Sequence, residues 1–185
     1  MSKISISELY TDCEQQRKRY KKLQEAFNEF FGVCPERYFS ASGRTEVCGN
    51  HTDHNHGMVM AAAVNLDIIA AAKPRDDGKV TVKSEGYEPD CINIDDISAK
   101  PEEKNSSAAL IRGVCAGLKA RGYNIGGLDA YTVSDVLKGS GLSSSAAFEV
   151  LIGTVINHLY NGGKIPSVEI AQICLLYTSD AADEL

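Results

Sequence analysis

One stretch constrains this chain more than any other: GSGLSSSAA, residues 139–147, which lies between a strand pattern and a helix pattern. Ahead of it, apolar and polar residues alternate from Leu128 to Val136, as they do in a half-buried strand. Behind it, apolar residues recur at helical spacing: Phe148, Leu151, Ile152, Val155 and Leu159. A strand, a glycine-rich turn and a helix in direct succession predict a helix packed on a sheet.

The glycine-serine stretch has two interpretations. The first turn of a helix leaves main-chain N–H groups without partners and carries partial positive charge, so a phosphate could bind there. The hydroxyls of Ser143, Ser144 and Ser145 could add donors or a ligand for Mg²⁺, and Lys138 could add charge. The stretch is not a Walker A loop, because no Gly-Lys-Ser/Thr closes it. The second interpretation is an ordinary capped helix preceded by a flexible loop, which would contain the same residues.

A second polar stretch, GRTEVCGNHTDHNHG at residues 43–57, precedes an almost wholly apolar run. It holds one arginine, two carboxylates, three histidines and two asparagines. Such a set could line a pocket for a polyhydroxylated molecule, or His51, His54 and His56 could hold a metal together with Asp53. The histidine spacing matches neither H-E-x-x-H nor a zinc-finger pattern, which favours the pocket.

The rest of the chain predicts an α+β domain with helices covering one face of a sheet. Thr11 and Glu14 form a possible capping box for a helix that Gly32 ends. The segments 58–63 and 66–73 are apolar on both faces, as buried strands are, and Asp77-Gly78 predicts a hairpin into the next strand. Further strands are predicted near 37–41, 80–82 and 91–94, and further helices from Ser106 or Ser107 to Gly122 and from Pro166.

Composition narrows the classes of function. The 185 residues suffice for one domain, and 43% hydrophobic residues indicate a globular chain. A net charge of −6, with both signs interleaved, argues against nucleic acid or an anionic membrane as the main partner. The sequence shows no signal peptide and no membrane-spanning run, so we expect a cytoplasmic protein. Six scattered cysteines predict free, mostly buried thiols.

Together the two polar stretches resemble the signatures of the GHMP kinases, and the letters HTD within the first resemble the galactokinase branch. The similarity runs from about Arg37 to about Ile173. It implies a GHMP kinase N-terminal domain at 33–173, with a mixed or antiparallel sheet, preceded by a helical segment at 1–32 that packs on it. It also implies an enzyme that uses ATP and Mg²⁺ to phosphorylate the anomeric hydroxyl of galactose or a related hexose.

The resemblance assigns roles by position. Arg44 would stabilise charge on the transferring phosphoryl group, and Ser145 would bind the Mg²⁺ ion. Ser84 would lie near the nucleotide. The sugar would contact Asn50, His51, Thr52 and Asp53. The ATP phosphates would contact Gly139, Ser140, Gly141, Leu142, Ser143, Ser144 and Ser145. We therefore expect Arg44 and the start of the helix near Ser143 to face one cleft.

Several residues depart from the family pattern. Asn50 replaces a glutamate. Because an amide donates as well as accepts hydrogen bonds, the hydroxyl pattern recognised at this position can differ, and the sequence does not decide which sugar binds. His54 replaces a tyrosine, and Ser42 replaces a proline. The Mg²⁺-binding glutamate and the proton-accepting aspartate of the family would follow residues 171–173, but CLLYTSDAADEL at 174–185 matches neither. We expect that tail to be an artefact outside the domain and the chain as written to be inactive. A catalytically silent sugar and ATP sensor and the histidine metal module remain the alternatives.

Overall fold

The computed structural model describes residues 4–48, 58, 60–137, 139 and 141–176. Within them the helices are α1 (Ile6–Leu9), α2 (Cys13–Phe31), α3 (Ser107–Ala120), α4 (Ser144–Tyr160) and α5 (Ser167–Cys174). The strands are β1 (Arg37–Cys48), β2 (Met60–Arg75), β3 (Lys79–Ser84), β4 (Asp90–Asn93) and β5 (Gly127–Ser134). A short 3₁₀ helix, Pro101–Glu103, precedes α3.

The strands form one mixed sheet in the order β1-β2-β5-β3-β4. All neighbours are antiparallel except β3 and β5, which are parallel. The predicted α+β class with a mixed sheet is confirmed. The predicted hairpin across Asp77-Gly78 is wrong, because β5 lies between β2 and β3: Ala130 pairs with Ala72 on one side and with Val82 on the other. A central β5 hydrogen-bonds along both edges, and the local turn sequence contains no information about that distant partner.

Three of the helices cover one face of the sheet, which is the arrangement that the sequence predicts, but α2 covers the other face. On the first face α3, α4 and α5 pack on side chains that include Ile68, Ala70 and Ala72 of β2. On the other face Leu23 and Phe27 of α2 pack on the alternate residues Ile69 and Ala71, and all four are fully buried. Burying each of these two larger side chains stabilises the fold by about 1.5–3 kcal/mol.

The start of α2 differs from the prediction. Asp12, rather than Thr11, is the N-cap residue, because its carboxylate accepts a hydrogen bond of 3.0 Å from the main-chain N–H of Gln15. The predicted end is confirmed: Gly32 has a φ of +70° and donates to the carbonyl of Asn28.

The far end of the β1–β2 pair is exposed. The sequence predicts two buried strands at 58–63 and 66–73, but β2 is one strand and its residues 60–63 are exposed. The reason is that β5 ends at Ser134, which pairs with Ile68, so residues 60–63 have β1 as their strand neighbour and are left outside the helix layers.

The cysteines are free, as predicted, but most of them are not buried. Cys115 and Cys174 are buried, and burial raises the pKa of each thiol to about 12. Cys34, Cys48 and Cys91 are exposed because they lie in a connection, at the end of β1 and on the edge strand β4. Apolar composition alone does not reveal which strands lie at an edge.

Candidate active site

The site begins at a change of register in β1. Ser42 pairs with Asp67, but Arg44 pairs with Ala63, so β2 carries extra residues opposite Gly43. An irregularity of this kind bends a strand and redirects its side chains.

Gly43 is buried next to residues 139–143, the part of the glycine-serine stretch that precedes α4 and is called the glycine-serine loop below. A β-carbon added to it would lie 3.1 Å from Cγ2 of Val136 and 3.2 Å from the carbonyl oxygen of Leu142. Such distances are tighter than ordinary contacts, so β1 approaches the loop as closely as it does because residue 43 has no side chain. Sequence reasoning missed Val136 as a site residue, and its one signal was its position at the end of the alternating run from Leu128 to Val136, just ahead of the loop.

The next residue joins the strand to the loop. The main-chain N–H of Arg44 donates a hydrogen bond of 3.1 Å to the carbonyl of Leu142. Arg44 itself is half-buried. The structure therefore brings the predicted arginine and the predicted phosphate-binding loop together, although they are almost a hundred residues apart in sequence.

The loop has an unusual main-chain conformation. Gly139, Gly141 and Ser143 have φ angles of +78°, +74° and +56°. No atom lies within 4 Å of a β-carbon built on either glycine, so the main chain is open on that side. Residues of alternating helical hand can turn successive N–H groups toward one point, which suits an anion. Ser143 adopts the left-handed region without being glycine, at a cost of about 1–2 kcal/mol.

Helix α4 starts directly behind the loop. The side chain of Ser143 makes no capping hydrogen bond, and the first turn holds no acidic residue. No acidic side chain in that turn therefore competes for its main-chain N–H groups or offsets the positive end of the helix dipole. This arrangement favours the binding of a phosphate. Ser145 is exposed, and its hydroxyl could contact a metal ion that is bound to phosphate oxygens. Phe148, which is buried, anchors the helix to the core.

Ser84 lies at the same edge of the sheet. It ends β3, and its hydroxyl oxygen lies 2.9 Å from the Oγ1 atom of Thr132 on the parallel strand β5. β5 ends at Ser134, two residues after Thr132, and the chain then leads into the loop, so Ser84 lies on the strand next to the one that precedes the loop. Its contact with a nucleotide stays a prediction.

Part of the predicted site lies outside the described residues: Asn50, His51, Thr52, Asp53, Ser140 and the histidines of the metal alternative. Among the residues that are described, no group of three or more histidine, cysteine or acidic side chains could hold a metal ion. Likewise, none of the described helices is both long enough and apolar enough to span a membrane.

Sequence reasoning also missed Asp67. It is the one charged residue in the apolar run from Met58 to Ala72, and that isolation was the available signal. The structure buries it beside Ser42, where β1 changes register.

Comparison with known proteins identifies the family. The galactokinase galactose-binding signature matches residues 25–74, and the GHMP kinase N-terminal domain matches residues 107–183. A galactokinase of Clostridium tetani is 34% identical over 153 residues, which are 82% of this chain and 38% of that protein. The chain belongs to the galactokinase family of GHMP kinases.

Solved structures agree with this membership. The galactokinase of Lactococcus lactis, solved in complex with galactose, superposes with a TM-score of 0.80 at 30% identity, over 88% of this chain and 42% of that one. The mevalonate kinase of Methanococcus jannaschii shares the fold, with a TM-score of 0.65 at 13% identity, over 80% of this chain and 47% of that one. The chain spans 38% of the length of the curated galactokinases it matches.

Proposed function

We propose that the full-length protein is an ATP-dependent kinase that phosphorylates the anomeric hydroxyl of galactose or a closely related hexose. The observation that carries the proposal is the hydrogen bond between Arg44 and Leu142, which holds β1, the strand that contains Arg44, against the open glycine-serine loop. Phosphoryl transfer needs accurate positioning and positive charge more than covalent help from the protein. An arginine beside a helix N-terminus supplies both.

In this proposal the loop and the first turn of α4 bind the phosphates of ATP. Main-chain N–H groups around Gly139, Gly141 and Ser143 would donate to phosphate oxygens, supported by their positive φ angles. Ser144 would add its hydroxyl, and Ser145 would hold Mg²⁺ together with those oxygens. A bound Mg²⁺ would neutralise part of the charge on the phosphates.

Arg44 would stabilise the charge that develops on the transferring group. Its guanidinium group stays protonated at any physiological pH and can donate two parallel hydrogen bonds to phosphate oxygens. The charge on those oxygens grows in the transition state, so the arginine would bind the transition state more strongly than bound ATP.

The sugar would bind the segment Asn50, His51, Thr52 and Asp53. A carboxylate such as that of Asp53 accepts hydrogen bonds from sugar hydroxyls, and a site with fixed donors and acceptors rejects molecules that lack a matching hydroxyl. Asn50 can donate as well as accept, so the preferred sugar of this protein can differ from that of relatives with a glutamate. The residue that accepts the proton of the sugar is not assigned to this chain.

The test is a panel of hexoses with MgATP and the full-length protein. We expect sugar-dependent release of ADP and a sugar 1-phosphate visible by ³¹P NMR. Arg44→Ala should lower kcat by roughly 10²-fold or more while changing ATP affinity little. Arg37→Ala is the matched control, because it removes the same charge from the opposite end of β1, where Arg37 donates to the carbonyl of His158 over 3.1 Å.

Three other outcomes would contradict the proposal or part of it. Binding of sugar and ATP without turnover would favour the silent sensor. Loss of ATP binding in Arg44→Ala would mean that the arginine has a different role. We also expect the 185-residue chain alone to give background rates with every sugar, since none of its residues is assigned as the base, and clear turnover would contradict that expectation.

A further inference from the structure

A buried ion pair joins helix α2 to strand β2 of the sheet. Nη1 of Arg19 on α2 donates to Oδ1 of Asp67 on β2, and their side chains are 12% and 8% exposed. Two hydroxyl groups contact the other carboxylate oxygen: Tyr10 donates to Oδ2, and Ser40 donates to it over 2.5 Å. Burial, and then its bond to Asp67, raise the pKa of Tyr10, so its hydroxyl stays protonated and able to donate.

The same pair contacts the segment where β5 ends and the loop begins. The carbonyl oxygen of Asp67 accepts hydrogen bonds from the N–H of Asp135 over 2.9 Å and from Nη2 of Arg19 over 3.0 Å. Nη2 also lies 3.5 Å from the carbonyl oxygen of Val133, and Nη1 lies 3.3 Å from Oδ2 of Asp135. One guanidinium group thus contacts β2, β5 and the first residue after β5.

From Asp135 the contacts continue to β1, the strand that contains Arg44. Val136, which follows Asp135, packs against Gly43. At the other end of the loop, Leu142 accepts the hydrogen bond from Arg44. Both ends of the segment 135–142 are therefore attached, one to Asp67 and Arg19 and the other to β1.

We infer that Arg19 and Asp67 are positioning residues for phosphoryl transfer, which hold the start of the glycine-serine loop in register with Arg44. The inference rests on the function proposed above. Fold stability alone explains the pair poorly, because a buried ion pair can often be replaced by apolar side chains of similar volume without loss of stability. Placement explains it better, since a displacement of about 1 Å at a transferring group can cost a factor of about 10² in rate.

The experiment compares Arg19→Met with Leu23→Ala in the full-length protein. Leu23 is the matched control: it is fully buried, lies one turn further along the same helix face and packs on the same strand, but contacts the core rather than the loop. We expect Arg19→Met to lower kcat roughly 10-fold to 100-fold, with the sugar KM changed by less than about threefold. Leu23→Ala should lower the melting temperature yet keep kcat within about twofold of wild type below that temperature.

Three further variants show whether Arg19 and Asp67 act as a unit: Arg19→Lys, Asp67→Asn, and Arg19→Met combined with Asp67→Asn. Arg19→Lys keeps the positive charge but loses the planar set of N–H donors of the guanidinium group. Its kcat should therefore lie between those of Arg19→Met and the wild type. Adding Asp67→Asn to Arg19→Met should lower kcat no further than the worse single change. If Arg19→Met does not fold, Asp135→Ala decides, because Asp135 is half-exposed and its carboxylate contacts Arg19 without belonging to the buried pair. We expect it to lower kcat about 3-fold to 10-fold.

The outcomes separate this inference from the proposed function. A wild-type protein that shows no sugar-dependent release of ADP contradicts both. An active wild type in which Arg19→Met, or Asp135→Ala in its place, keeps the kcat of the Leu23→Ala control contradicts the inference alone. A loss of kcat confined to the Arg19, Asp67 and Asp135 variants supports it.

Discussion

Gly43 lies so close to Leu142 that a β-carbon on the glycine would be 3.2 Å from the carbonyl oxygen of the leucine. That oxygen is main chain and already accepts the hydrogen bond from Arg44, so it cannot move without moving the loop. Gly43→Ala should therefore lower the free energy of unfolding by about 1–2 kcal/mol and kcat by about 10-fold. Chemical denaturation and steady-state kinetics of the full-length protein measure both.

Gly122→Ala is the control for that change. Gly122 has a φ of +80° at the end of α3, with no atom within 4 Å of an added β-carbon. Its substitution should cost about 1 kcal/mol through the main chain and leave kcat unchanged. Equal kcat values for the two variants would contradict a role for the close approach at Gly43.

Ser143 offers a trade between stability and binding. As a serine with a φ of +56°, it is strained, and Ser143→Gly should raise the free energy of unfolding by about 0.5–1 kcal/mol after the larger entropy of an unfolded glycine is counted. If its hydroxyl contacts phosphate, the same variant should raise the KM for ATP several-fold. Asn105→Gly, at the other non-glycine residue of positive φ among those described, should leave that KM unchanged.

The thiols differ in reactivity. In the native chain, iodoacetamide should modify Cys34, Cys48 and Cys91 quickly, because they are exposed. Cys115 and Cys174 should react only after unfolding, because burial both blocks access and raises the pKa of each thiol to about 12. Peptide mass spectrometry after timed labelling reads each site. Fast modification of Cys115 would contradict the packing of α3 described above.

An ion pair at the turn between β2 and β3 should add stability that depends on pH. Hydrogen bonds from Arg75 lower the pKa of Asp77 from its ordinary 3.8 to about 2. A carboxylate with a lowered pKa in the folded state contributes stability above about pH 4 and loses it as the pH falls toward 2. The difference in melting temperature between wild type and Asp77→Asn should therefore shrink between pH 5 and pH 2. Asp76→Asn, an exposed neighbour of equal charge, is the control.

Local patterns predicted much of the secondary structure. Ser106 caps α3 by accepting a hydrogen bond from Ala109, and Gly32 ends α2, because caps act within one turn of chain. The order of the strands was less accessible. Whether β3 neighbours β2 or β5 depends on residues some fifty positions away, and the apolar alternation of Val80 and Val82 is the same in either arrangement.

The sequence by itself determined the fold class, the glycine-serine loop at a helix N-terminus and the family, because these depend on residue types at short spacing. Only the tertiary structure decided that Arg44 hydrogen-bonds to Leu142 and that Arg19 and Asp67 lie behind the loop. Such contacts follow from the strand order and the register change at Gly43, which arise when the chain packs as a whole. A short window of sequence does not specify the free energy of distant pairing, so these relationships had to be read from the fold.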